Sequence, residues 1–383
     1  MLVADSHLDL SWNALQWNRD LLRSAYTIRA QEEGTPGKGR GQGTVAFPDM
    51  RRGRVALSFA TVLARSTGRP EAHLDFAAPA QAYGVAKGQL AYYHALERQG
   101  HVRLIRDAGQ LDAHIAEWTA WDAARSGDTT DAAGIAGTSP PLGFVISMEG
   151  ADPILEPADL REWWEGGLRL LELSHFGPGR YAGGTGTENG LTELGAALLD
   201  EMGRVGVVLD LTHCSDEAFW EALARYSGPV LASHNNCRAL APHQRQFSDD
   251  QIRAIVQRDG VIGAAFDCWM IRPGWRHGDD NRDIKIADVV AHIDHICQLA
   301  GSSRHAALGT DLDGGFGREG SPHDLDTIAD LQKIPALLAA KAYSADDVAA
   351  IMYRNWVDFL RRAWATIGGT GDRARLAARR PGG

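Results

Sequence analysis

The stretch Leu2-Val-Ala-Asp-Ser-His-Leu-Asp9 opens as an apolar run and ends in two side chains able to bind a metal. Seven further runs of this kind recur along the 383 residues: VALSFATVL (55–63), GFVISMEG (143–150), LRLLELSH (168–175), GVVLDLTH (206–213), PVLASHN (229–235), VIGAAFD (261–267) and HAALGTDLDG (305–314). Each is continuously apolar rather than alternating, as in the strands of a parallel sheet covered on both faces. Between them lie Ala- and Leu-rich amphipathic segments at 79–99, 107–125, 192–203, 215–226, 248–258, 286–300 and 324–341. Ser215, Ser248 and Ser344 stand where a helix would begin, with acidic residues in the following turn, which satisfies free amides and complements the helix dipole. Strand and helix alternating eight times predict an α/β architecture, the (β/α)8 TIM barrel. An open doubly wound sheet shares the local alternation, and the count of eight favours closure.

A length of 383 residues fits one barrel domain, placed at 1–366. Two Gly-, Pro- and Thr-rich segments, 31–43 and 126–141, interrupt the alternation and are expected to be mobile loop insertions. Residues 344–363 read as a closing helix packed on the barrel, and the Gly- and Arg-rich stretch 367–383 as a flexible tail. A net charge of −10 argues against nucleic acid as a partner. No run approaches the roughly 18 apolar residues of a membrane span, and the opening MLVADSHLDLSW lacks the pattern of a secretory signal. Cys214, Cys237, Cys268 and Cys297 form no C-x-x-C pair, which favours reduced thiols and a cytoplasmic protein.

The ends of the runs carry the chemistry. The first ends in His7 and Asp9, the third in Glu149, the fourth in His175, the fifth in His213, the sixth in His234 and the eighth in Asp311 and Asp313. In a barrel these ends converge on one face, where the active site lies. Imidazoles and carboxylates gathered out of water are costly unless a cation compensates. Nitrogen and oxygen donors without thiolate suit zinc first, with manganese, cobalt or iron as alternatives. His7 and Asp9 are two residues apart, so an extended strand projects both from one face. So many ligands exceed what one catalytic zinc uses and suit two ions sharing a carboxylate. Asp313 is expected to brace its own turn.

The segments ADSHLDLSW, ISMEGAD, LELSHFG, GVVLDLTHCSDEAFWEAL, GPVLASHNNCRAL, HQRQFSDDQIRAI and LGTDLDGG together resemble the membrane (renal) dipeptidase family, peptidase family M19 of the amidohydrolase superfamily. They run in family order from residue 4 to about 360. The resemblance implies a dipeptidase that accepts a D-residue on the C-terminal side. It implies two zinc ions, one on His7 and Asp9 and one on His213 and His234, bridged by Glu149, with a hydroxide between them as nucleophile. Asp311 would move the proton to the leaving amine, and His175 would donate to the carbonyl oxygen. Arg245 would hold the substrate carboxylate, unless it pairs with Asp249 or Asp250. Arg180 and Tyr181, in the loop after His175, are expected to contact substrate. A homodimer is expected as well. The same metal site would also serve a lactone, ester, imide or β-lactam hydrolase, and a silent metal-binding barrel is the reading from a different class.

Overall fold

A computed structural model describes residues 1–124 and 139–365. All eight apolar runs become strands: β1 (Val3–Leu8), β2 (Val55–Leu63), β4 (Leu142–Glu149), β5 (Leu168–Glu172), β6 (Val208–Asp210), β7 (Val230–Leu231), β8 (Ile262–Ala264) and β9 (Ala306–Leu308). A short strand that the sequence reading missed, β3 (Val102–Leu104), lies between them. All pairings are parallel, in the order β7-β6-β5-β4-β2-β1-β9-β8. A parallel bridge between Ala232 and Ile262 joins the two ends and closes the barrel. β3 lies off this path and takes the N-terminal half of the β4 edge, with β5 pairing further along.

Closure forces backbones together where β7, β8 and β9 meet. Ser6 points inward from β1, donating to the Leu308 carbonyl at 3.0 Å and to the Ser233 carbonyl. A Cβ on Gly309 would overlap that same Ser233 carbonyl, so the glycine of LGTDLDGG is required by space at the seam. Below this level the interior is filled by Ala4, Leu57, Phe59, Val145, Leu170, Val208, Leu231 and Ala307, which form one apolar cluster with Trp356, Leu360 and Trp364. The closing segment therefore plugs the N-terminal mouth, and the Trp356 indole donates to the Leu308 carbonyl at 2.8 Å. It opens with an α-turn (Ala345–Ala349) and a π-turn (Ala350–Arg354) before continuing as helix through 355–365. A second apolar layer, between strands and outer helices, includes Phe144, Trp118 and Trp163.

Most outer helices fall where the periodicity places them, and Ser215, Ser248 and Ser344 each accept an amide at the helix start. The segment 324–341 departs from one helix: a 3-10 stretch (Ile328–Lys333) precedes a short helix (Ile334–Ala340) with Pro at its start. Proline is compatible with a first turn and not with a helix interior. The insertion 31–43 is pinned rather than loose, because buried Arg19 donates to Glu32 at 2.8 and 2.9 Å and to the Gly39 carbonyl at 2.7 Å. Most of the 126–141 insertion and the whole 367–383 tail lie outside the described residues. Among the described residues no helix is long and apolar enough to cross a membrane.

Candidate metal centre and active site

At the C-terminal ends of the strands the expected side chains meet. Glu149 is central: its Oε1 lies 3.2 Å from His213 Nε2, 3.5 Å from His234 Nε2, 3.5 Å from His175 Nε2 and 3.6 Å from His7 Nε2. His7 Nε2 also lies 3.9 Å from Asp9 Oδ1 and 3.8 Å from Asp311 Oδ1. Ligand atoms fall into three overlapping groups: His7, Glu149, Glu172 and His234; Glu149, His175 and His213; and His7, Asp9 and Asp311. Glu172, at the end of β5, went unrecognised in the sequence reading; its sign was a carboxylate closing the strand LRLLE, three residues before His175.

The donor set fits a divalent cation. His213 Nδ1 lies 2.9 Å from Thr185 Oγ1 and His234 Nδ1 lies 2.9 Å from Ser233 Oγ, while the two Nε2 atoms face each other at 3.1 Å. If each Nδ1–H donates to its hydroxyl, two lone pairs point into one space, the arrangement of metal-binding imidazoles. Both ring nitrogens of His7, Asp9 Oδ1, Glu149 Oε2 and Glu172 Oε2 are buried without a hydrogen-bond partner, and such atoms are costly unless something binds them. Burial, reinforced by Arg245, brings the His7 pKa down to about 3. Burial first, and then Arg65 and Arg245 at His175, Arg245 and the other imidazoles at His213, and His7 and Arg245 at His234, hold these three well below the ordinary value. A neutral imidazole is a ligand or a hydrogen-bond donor at a given nitrogen according to which nitrogen carries the proton. The same desolvation, together with mutual repulsion, raises the pKa of Glu149 and Asp311, an opposition a cation would relieve.

His213 and Asp311 take left-handed backbone, with φ of 63° and 57°, a conformation that His and Asp reach more readily than most residues with a Cβ. The Asp311 amide bonds to the His7 carbonyl at 3.2 Å, tying the two strand ends together. A Cβ on Gly314 would collide with the Asp311 carboxylate, so that glycine makes room for the side chain. Asp5 accepts from the amides of His7 and Thr310 and from the Thr310 hydroxyl. Asp210 does the same for Thr212 and Ser233. The repeated motif, Asp shortly before His in ADSH and LDLTH, was the available signal for both.

The centre opens into a cavity of about 1270 Å3. Arg245 lines it and is buried; its guanidinium donates to the His234 carbonyl at 2.8 Å and to Asn235. It pairs with neither Asp249 nor Asp250, which engage His295 and Arg253. Trp269 and Trp275 line the cavity, as do Arg65, Asp267, the last residue of VIGAAFD, and His243, the first of HQRQFSDDQIRAI, to which the sequence reading gave no role. Asp313 braces the loop 44–45, accepting from the amides of Thr44 and Val45 and from Arg19. Arg180 and Tyr181, expected to contact substrate, turn away from the cavity. The bridges Pro178–Gly183 and Ala182–Leu191 curl their loop, so that Arg180 donates to the carbonyls of Ile154 and Leu155 at 2.7 and 3.0 Å. Tyr181 is fully buried with its hydroxyl on the Ile154 carbonyl. Neither lines the cavity.

A closed parallel barrel with imidazoles and carboxylates gathered at its C-terminal mouth is the design of the metal-dependent barrel hydrolases. Residues 1–368 match the membrane dipeptidase family, peptidase family M19, and the chain belongs to that family of metallopeptidases. An Aspergillus oryzae protein named dipeptidase aclJ is 26% identical over 362 residues, 91% of this chain and 75% of its own length. A Klebsiella pneumoniae protein described by its position in the 5′ region of pqqA is 30% identical over 232 residues, 58% of this chain and 83% of that one. The fold matches a metallopeptidase from Rhodobacter sphaeroides, liganded with a phosphinate mimic of the dipeptide L-Ala-D-Ala, at TM-score 0.71 and 23% identity, covering 95% of this chain and 99% of the other.

Proposed function

We propose that this chain hydrolyses the peptide bond of dipeptides, accepting a D-residue on the C-terminal side, with two zinc ions held by His7, Asp9, Glu149, His213 and His234. The observation that carries the reading is Glu149 Oε1, within 3.2 to 3.6 Å of four neutral imidazoles, where one carboxylate can serve two ions. The phosphinate dipeptide mimic in the Rhodobacter sphaeroides relative supports the substrate class. A divalent cation pair supplies here a water acidic enough to ionise near neutral pH and an electrophile for the scissile carbonyl.

The residues then divide the remaining work. Asp311, placed beside His7, takes the proton of the attacking water and delivers it to the leaving amine. His175 donates to the carbonyl oxygen as negative charge develops there. Its Nδ1 lies 3.4 Å from the Arg65 guanidinium, which favours the tautomer with hydrogen on Nε2. Arg245 meets the substrate carboxylate with a planar, permanently charged fork. The homodimer remains part of this reading and is read by light scattering.

Purified protein loaded with zinc is tested on a panel of L,L- and L,D-dipeptides and their C-terminal amides. Turnover should accompany two equivalents of zinc, and Asp311→Asn should lower kcat by about 100-fold or more. Arg245→Ala should raise KM for the free acids and leave the amides alike. Cleavage of lactones or esters with every dipeptide refused would replace this reading by the alternative with the same metals.

A further inference from the structure

Three consecutive strands of the barrel, β7, β8 and β9, are followed by Arg245, Asp267 and Asp311, all lining the same cavity. In the proposed reaction Arg245 takes the carboxylate of the C-terminal residue and Asp311 serves its leaving nitrogen. Asp267 thus sits on the intervening strand end, beside the residue that is released. Its carboxylate is close enough to Asp311 to oppose ionisation there, after burial and Asp9.

Asp267 is 4% exposed, and its Oδ1 is buried with no hydrogen-bond partner. It occupies the N-cap position of the helix Cys268–Ile271, where an Asp ordinarily accepts an amide, yet its side chain accepts none. The other oxygen lies 3.2 Å from His277 Nε2, and Lys38 Nζ lies 3.0 Å from that same nitrogen, which can donate to the carboxylate or accept from the ammonium but not both. One oxygen thus has a polar neighbour and the other has none. Beside it stand His243 and Trp269, stacked edge to face at 4.9 Å, with the His243 Nδ1 accepting the Arg245 amide at 3.0 Å. The half-buried Trp269 ring offers a wall to an aliphatic stem and a face to a cation.

We propose that Asp267 is a specificity-determining residue that selects a cationic side chain, that of lysine, ornithine or arginine, on the residue C-terminal to the scissile bond. An apolar side chain packed beside the unpaired oxygen would leave it unpaired, whereas an ammonium or guanidinium group completes its hydrogen bonding. A pocket built around an unsatisfied polar group discriminates strongly against a ligand lacking the partner.

The inference rests on the dipeptidase reading, and the experiment separates the two. Zinc-loaded full-length protein is assayed with Ala-Lys and Ala-norleucine, the C-terminal residue in either configuration. The kcat/KM ratio should favour lysine by about tenfold or more. Asp267→Asn should bring the ratio near one, with Asp267→Ser as a second variant, whereas His277→Gln, which retains the carboxylate, should preserve it. Equal rates for the pair in the unmodified enzyme, or a lysine preference that survives in both Asp267 variants, overturns the proposal. Free lysine and norleucine are also titrated calorimetrically as products. Tighter lysine binding that is lost in Asp267→Asn upholds the subsite even if no dipeptide is cleaved, in which case the peptidase reading alone falls. Equal binding of the two amino acids sinks the subsite whatever the turnover.

Discussion

Thr185 and Ser233 show how much of a candidate metal centre lies one hydrogen bond behind its proposed ligands. Each hydroxyl sits 2.9 Å from the Nδ1 of one imidazole, His213 or His234, and so sets both the tautomer and the direction of the opposite nitrogen. Thr185→Val and Ser233→Ala keep the ligands and remove that control, and each should weaken metal binding by about 10- to 100-fold. Competition with a chelator measures this without turnover, and unchanged affinity in both variants would show that the rings are held by packing alone. The imidazoles themselves were legible in the sequence because each closes an apolar run. Their orienting hydroxyls were not: Thr185 is 28 residues from His213 in the chain, and nothing local marks it. Arg180 and Tyr181 were misread for a related reason. Their proximity to His175 in sequence places them in the right loop, but the fold of that loop turns both toward Ile154. Asp267 was passed over although it closes the seventh apolar run, VIGAAFD.

At the scale of elements, the segment before β2 is held to the loop after β9 by one buried cluster. Arg19, Glu32 and Asp313 are 3%, 6% and 2% exposed. Arg19 grips Glu32 with two nitrogens and reaches Asp313 at 3.2 Å, while Asp313 accepts from Thr44 and Val45. Arg19→Met would take the cation from buried Asp313 and leave Glu32 with Arg40 at 3.3 Å, which costs about 3 kcal/mol, and the loop 31–43 would lose its buried anchor. A urea midpoint unchanged from the parent protein would contradict this. The composition of QEEGTPGKGRGQG predicts a loose insertion because Gly and Pro are local signals, whereas the pinning ion pairs span 13 and 294 residues. Strands were readable wherever an apolar run was long. β3 is three residues with Arg103 in the middle, too short to carry a pattern, and is specified by the edge of β4 beside it.

Across the whole molecule, helices are fastened to the barrel partly by histidines that work only when neutral. His114, on the helix Ala108–Ala123, places Nε2 2.7 Å from the Ala56 carbonyl of β2, and Arg103 approaches its Nδ1 at 3.2 Å. His292, on the helix Ile286–Ala300, accepts the Cys237 amide at 3.1 Å. Burial brings each pKa down to about 4, with Arg103 adding to the effect at His114. In the unfolded chain both titrate near 6.5. Above that value they are neutral in both states and leave stability independent of pH. Between about 6.5 and about 4 the unfolded chain takes up protons that the folded chain refuses, so stability falls as pH falls. A depression from 6.5 to about 4 amounts to about 3 kcal/mol per histidine over that window. His114→Asn should therefore be less stable than the parent at pH 7.5, through the lost packing, yet should lose less on acidification. Urea midpoints of both proteins from pH 7.5 to 4.5, compared as slopes so that any metal loss common to the two cancels, decide the matter. Parallel slopes would mean that His114 is protonated in the folded chain and that the helix is held to β2 by something other than its neutral ring.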